Sequence, residues 1–90
     1  MAFYIKKANK PLEAKELTER NRDEILEWMS GMGKKGLDGM ILLKTPESDG
    51  ETQRAYTGDF IFKGHTEELG WHFWPVKPSY VEENYIEVNT

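Results

Sequence analysis

Cysteine is absent from the 90 residues, which excludes disulfide frameworks, zinc ribbons and thiol catalysis. The lack fits a reducing cytosol. Histidine and serine are scarce: His65 and His72 of the first, Ser30, Ser48 and Ser79 of the second. A hydrolytic triad needs a serine, a histidine and a carboxylate converging in space, and no serine here stands in a nucleophile-elbow context. Ser48 reads as a turn residue and Ser79 as a helix cap. No apolar run approaches the ~18 residues of a membrane span, and the opening MAFYIKKANK has no hydrophobic stretch of the secretory kind. The expectation is a protein that avoids membranes and stays where it is made. There is no internal repeat, linker or low-complexity stretch, so residues 1–90 read as one domain.

What the chain does have is aromatic bulk: three Trp, four Tyr and four Phe. A domain this short buries only about 60–65% of the surface of its unfolded form, and aromatics bury the most area per residue. The net charge of −4 is unevenly spread. Residues 1–35 carry eight Lys or Arg against six Asp or Glu, and residues 36–90 carry four against ten. An acidic second half disfavours sequence-independent binding to nucleic acid. It suits a basic protein surface, and equally serves plain solubility.

Residues 3–6 alternate in strand fashion, with Phe3 and Ile5 on one face, and stop before Pro11. LEAKELT alternates through Leu12 and Ala14 until Leu17 falls out of step, which predicts a bulge near Lys15 or Glu16. NRDEILEWMSG predicts a helix of about ten residues, with an apolar stripe of Ile25, Trp28 and Met29. Asn21 and Glu24 have capping-box spacing, and Gly31 supplies the stop. GMGKKGLDG, with four glycines in nine residues, reads as a loop. MILLKT reads as a central strand, and Asp49-Gly50 as a hairpin turn. Gly58-Asp59 reads as a tight turn, with Asp59 ordering it by bonding nearby amides. Beyond it Phe60 and Phe62 face away from Ile61. HTEELG reads as a connection to a strand WHFWPVK. Ser79 and Glu82 again have capping-box spacing, over one helical turn, and YIEV closes the chain as a strand. The expected fold is α+β: one small, twisted antiparallel sheet of about 5–6 short strands, with one α-helix packed across it.

TGDFIFKG followed by FWPVKPSYVEENY resembles the C-terminal signature of a family of short phage and prophage proteins. The resemblance runs through Phe3, Lys6, Lys7, Pro11, Glu13, Ala14 and the helix Asn21 to Trp28. It continues through Gly58, Asp59, Lys63, Gly64, Gly70, Phe73, Pro75, Lys77, Pro78, Glu82 and Tyr85. It departs from the family at Val76 and Ser79, and in a longer stretch from His65 to His72. It implies a virus-derived accessory protein in a bacterial host cytoplasm, and it implies no reaction.

The chemistry is weighed against plainer readings. His65 and His72 with Glu67 or Glu68 are competent metal ligands, but their spacing matches no metal motif, and surface histidines are the plainer reading. No metal or other cofactor is expected. GMGKKG could hold phosphate through glycine amides with Lys34 and Lys35, or be a helix-to-strand connection. Lys77, between two prolines, could cover apolar surface with its stem or meet a phosphate or carboxylate. Alternation of GWHFWPV sends Trp71 and Phe73 toward the helix stripe, and His72 and Trp74 outward unless both faces are covered. An outward Trp74 invites a partner, a ligand ring or a second copy. The leading expectation is a non-enzymatic accessory protein that binds and modulates a host component, with host defence among the candidates, and with homo-oligomer formation as a plainer use of the aromatics. The alternative is an oligomeric sponge for a nucleotide-like small molecule, stacked by aromatics and met by Lys34, Lys35 or Lys77. An enzyme acting on a metabolite through the histidines, or a virion component, are further readings.

Overall fold

The computed structural model describes residues 2–6, 11–44, 52–67 and 70–88. In chain order the elements are β1 (Ala2–Lys6), β2 (Pro11–Glu16), α1 (Arg22–Trp28), β3 (Gly33–Lys35), a 3-10 turn (Leu37–Gly39) and β4 (Ile41–Lys44). Then come β5 (Thr52–Ala55), β6 (Phe60–Thr66), β7 (Gly70–Val76), α2 (Pro78–Asn84) and β8 (Tyr85–Val88). All strand pairings are antiparallel. They build a five-stranded sheet in the order β7-β6-β2-β1-β8 and a three-stranded sheet in the order β3-β4-β5. The class is α+β. The expected single sheet with one helix is corrected to two sheets and two helices.

The source of that difference is the glycine-rich segment. It is not a bare loop: Gly33 to Lys35 pair with Ile41 to Leu43. A Cβ on Gly33 would lie 2.7 Å from Met29 Sδ, so this glycine lets β3 pass close beneath the end of α1. The glycine count marked a close approach, not a lack of structure.

Strand alternation then divides the large sheet into two faces. Ala14, Phe62 and Trp74 stand in register on one face. There Ala14, Phe62 and Val81 of α2 form a buried core, with Leu12, Phe60, Trp74, Val76 and Tyr85 packed against it. Ile61 and Phe73 lie on the other face, where they join Leu17, Ile25, Met29, Ile41, Leu43 and Ala55. That second core is closed by α1 and the small sheet. Each fully buried large side chain, Phe62 or Ile61 for instance, contributes about 2 kcal/mol relative to exposure.

Leu17 falls out of step with Leu12 and Ala14 because it serves the opposite core. The pairing of Glu13 to Glu16 with Lys63 to Phe60 is unbroken, so the expected bulge near Lys15 or Glu16 is absent. The strand simply ends. Beyond it the Leu17 amide donates to the Asp59 carbonyl, and the Gly58 amide donates to the Leu17 carbonyl, both at 2.8 Å.

The helix starts differ from the expected caps. Asn21 N–H donates to Thr18 Oγ1 at 3.2 Å, and Thr18 N–H donates to Asn21 Oδ1 at 2.8 Å. This reciprocal pair closes the turn ahead of the helix; Asn21 does stand at the N-cap of α1, as expected, but its side chain makes no cap hydrogen bond. Glu24 turns instead to Lys15, 3.1 Å away. The helix α1 is seven residues long, with Ile25 buried and with Met29, its C-cap residue, buried beside it. In α2, Pro78 occupies the first turn after Lys77, and Ser79 is not the cap. The helix covers two turns rather than one.

Thr66 pairs with Gly70, so His65 and Thr66 belong to β6, and the connection expected over HTEELG shrinks to residues 67–69. The Asp49-Gly50 turn lies outside the described residues, between the paired ends Lys44 and Thr52.

Candidate functional site

The register of β6 against its neighbours fixes what the second face presents near the hairpin tip. Lys63 stands opposite Glu13 on β2 and Phe73 on β7, and His65 stands opposite Trp71. Helix α1 reaches as far as Phe73, whose ring meets Trp28 edge-on at 5.0 Å and 80°. One pair nearer the tip Trp71 is 56% exposed. The expectation that Trp71 packs with Phe73 beneath the helix is corrected: α1 is too short to reach it.

A cation sits among these rings. Lys63 Nζ is 4.8 Å from the centroid of Trp71, 5.9 Å from Phe73 and 6.0 Å from Trp28. Its cross-strand neighbour Glu13 is the natural ion-pair partner, yet the Glu13 carboxylate accepts the Trp28 indole N–H at 3.2 Å. Among the described residues no carboxylate lies within ion-pair distance of Lys63. An ammonium over ring faces gains about 0.5–1 kcal/mol at a partly exposed site and keeps its N–H donors for other acceptors. His65 adds an imidazole edge, 5.0 Å from the Trp71 ring at 60°. Lys15, 5.4 Å over Trp28, is occupied by Glu24. The assembled site is one exposed indole, one ammonium without an ion-pair partner among the described residues and one exposed imidazole, all on β6 and β7.

The residues singled out from the sequence do not converge on one place. Trp74 is half-buried on the α2 face, stacked on Phe62 at 6.0 Å and 26°. It lies over Gly64, where a Cβ would come within 2.8 Å of the indole. His72 is 6% exposed, with its ring 5.2 Å from Trp74 and its Nδ1 3.1 Å from the Gly70 carbonyl. His72 and Trp74 would turn outward only on an uncovered face, and α2 covers this one. Lys77 reaches back to Asp59, 3.0 Å away. Lys35 pairs with Asp23 at 2.8 Å and, by hydrogen bond and charge, holds that carboxyl below its ordinary pKa. Lys34 is exposed on the small sheet, opposite Leu42.

His65 and His72 occupy opposite faces of the β6–β7 hairpin, so they cannot share a metal ion. No group of three or more metal-ligating side chains occurs among the described residues. Among the described residues no helix is long and apolar enough to cross a membrane.

Lys63, His65, Trp71, Trp28 and Glu13 were not foreseen as one site. The usable signal was parity: two residues with anion-binding chemistry at 63 and 65 face two aromatics at 71 and 73 across a short hairpin. Reading HTEELG as a six-residue connection hid that register. No protein-family model, curated protein or solved structure matches the chain.

Proposed function

We propose that the protein is a non-enzymatic, phage-type accessory protein that binds a component of a bacterial host cytoplasm through the Trp71 face. The observation that carries the reading is the exposed indole beside an ammonium without an ion-pair partner among the described residues. Exposed tryptophans flanked by cations are the side chains that concentrate binding energy. The non-enzymatic reading is supported by the separation of the two histidines onto opposite faces, which keeps both imidazoles from acting on one substrate. The phage-type reading rests on the motif resemblance running from Gly58 to Tyr85.

The test is native mass spectrometry of the protein before and after incubation with bacterial lysate, with Trp71→Ala run in parallel. A mass gain that Trp71→Ala abolishes supports the reading. A gain retained by Trp71→Ala moves binding to another surface. An unchanged spectrum overturns it.

A second reading, the nucleotide-like sponge, is favoured by the Lys63–Trp71 pair rather than by Trp74, Lys77, Lys34 and Lys35.

A further inference from the structure

We infer that the Lys63–His65–Trp71 site takes a mononucleotide, a planar base stacking on Trp71 while its phosphate meets Lys63; this rests on the Trp71 face being the binding surface. Three features of the site argue for that ligand class. Trp71 is more than half exposed; His65 meets its ring edge-on and the Lys63 ammonium lies over one face at 4.8 Å, which leaves the opposite face for the base. Stacking of a base on an exposed aromatic is worth about 1–3 kcal/mol and tolerates any base. That term needs only the indole.

The second feature is the diverted carboxylate. Glu13 stands opposite Lys63, but one oxygen of its carboxylate accepts the Trp28 indole N–H and no ion pair with the ammonium forms. The Lys63 ammonium lies over the Trp71 ring with no carboxylate within ion-pair distance among the described residues. A phosphate is a strong acceptor for such a group. Lys77 is a useful contrast. It too lies over an aromatic ring, 5.2 Å from Tyr56, but its charge is satisfied by Asp59.

The third feature is scale. The site offers one stacking ring, one ammonium and one imidazole, matching one base and one phosphate. A nucleic-acid strand needs a cationic track, and here Glu13 and Glu24 border the site while the chain carries net charge −4. Repulsion grows with the number of phosphates brought near these carboxylates, so it weighs less on a single nucleotide than on an extended polyanion.

The experiment is a titration with adenosine 5′-monophosphate, followed by calorimetry and by the three tryptophan indole N–H resonances. Adenosine, inorganic phosphate and a single-stranded DNA oligonucleotide serve as comparison titrants. The expected result is saturable binding of the nucleotide that shifts the Trp71 and Trp28 indoles and leaves Trp74 in place. Adenosine and phosphate alone bind more weakly. Trp71→Ala weakens binding by about tenfold or more. Lys63→Met, which keeps the apolar stem and removes the charge, erases the difference between the nucleotide and adenosine. Lys34→Ala leaves binding unchanged, and the far-ultraviolet circular dichroism of each variant reports its folding.

No saturable binding by wild-type protein overturns the proposal. So does binding that survives Trp71→Ala, or adenosine binding as tightly as its monophosphate. Preference for the oligonucleotide overturns the assignment to a mononucleotide. A lysate complex that needs Trp71, together with no nucleotide response, overturns the ligand class while leaving the binding face standing.

Discussion

Lys77 and Asp59, 18 residues apart in the chain, form one unit: the lysine Nζ lies 3.0 and 3.2 Å from the two carboxylate oxygens. Asp59 also accepts the Tyr56 amide at 2.9 Å, and its own amide donates to the Tyr56 carbonyl at 2.8 Å. The turn Tyr56 to Asp59 joins the small sheet to the large one, and Gly58 takes the left-handed φ of 98° that the turn requires. One buried carboxylate thus ties together the sheet junction and the start of α2.

Replacing Asp59 by Ala is expected to destabilise the fold by about 2 kcal/mol, through loss of two charge-assisted interactions. Lys77→Ala costs less, about 1 kcal/mol, because the ammonium is largely solvent-exposed and its pairing is screened. Urea denaturation of both single variants and the double variant checks this. Additive costs would mean that the two side chains act independently.

Gly64→Ala tests the packing of the α2 face. The added methyl would come within 2.8 Å of the Trp74 ring, a rigid group already stacked on Phe62. The expected cost is about 1–3 kcal/mol from overpacking, with altered near-ultraviolet circular dichroism. Gly58→Ala provides the comparison. It meets nothing within 4 Å, so its cost of about 1 kcal/mol comes from backbone conformation alone.

The turn ahead of α1 and the expected capping box are separable by mutation. Thr18→Ala removes the acceptor for the Asn21 amide and is expected to cost about 1 kcal/mol. Glu24→Gln retains helix propensity and only weakens an exposed pair with Lys15, for at most about 0.5 kcal/mol. Thermal melts showing the reverse order would restore the capping box to Asn21 and Glu24.

Residues whose environment is local were legible from the sequence. Ile25, Trp28 and Met29 share a stripe because helix spacing puts them there, and Phe60 and Phe62 oppose Ile61 because strand spacing does. The tight turn at Gly58-Asp59 followed from its residue types. What could not be read was pairing at a distance. Whether Trp71 or Trp74 is exposed depends on which element lies over each face, and the spacing within β7 does not say which. Lys63 has no ion-pair partner among the described residues, and its cross-strand neighbour Glu13 accepts instead from Trp28, 15 residues away. Periodicity carries no such information.

The Asp23–Lys35 pair gives a pH dependence of known sign. The hydrogen bond from Lys35, then its charge, hold the folded-state Asp23 pKa below its unfolded value. The contribution is therefore present above the unfolded carboxylate pKa and is lost as pH falls through the folded one. Carbon-detected NMR titration of the Asp23 carboxyl should show a low midpoint that rises toward the ordinary range in Lys35→Ala. An unchanged midpoint would mean that the pair is not populated in solution.

The two tryptophans of β7 should part company in every solvent-sensitive measurement. Trp74 packs on Phe62 within a buried core, so Trp74→Ala removes contacts that the surrounding core cannot refill. A loss of about 3 kcal/mol is expected. Trp71 is exposed, with ring contacts to Lys63 and His65, so Trp71→Ala is expected to cost under about 1 kcal/mol. In fluorescence, acrylamide quenching should be strong for Trp71 and weak for Trp74, as read from variants lacking one or the other. Comparable quenching would mean that the α2 face opens in solution, returning Trp74 to the surface. Since a side chain that adds nothing to stability is free to serve binding, a large stability loss for Trp71→Ala would argue that the hairpin tip is structural and remove the ground for placing function there.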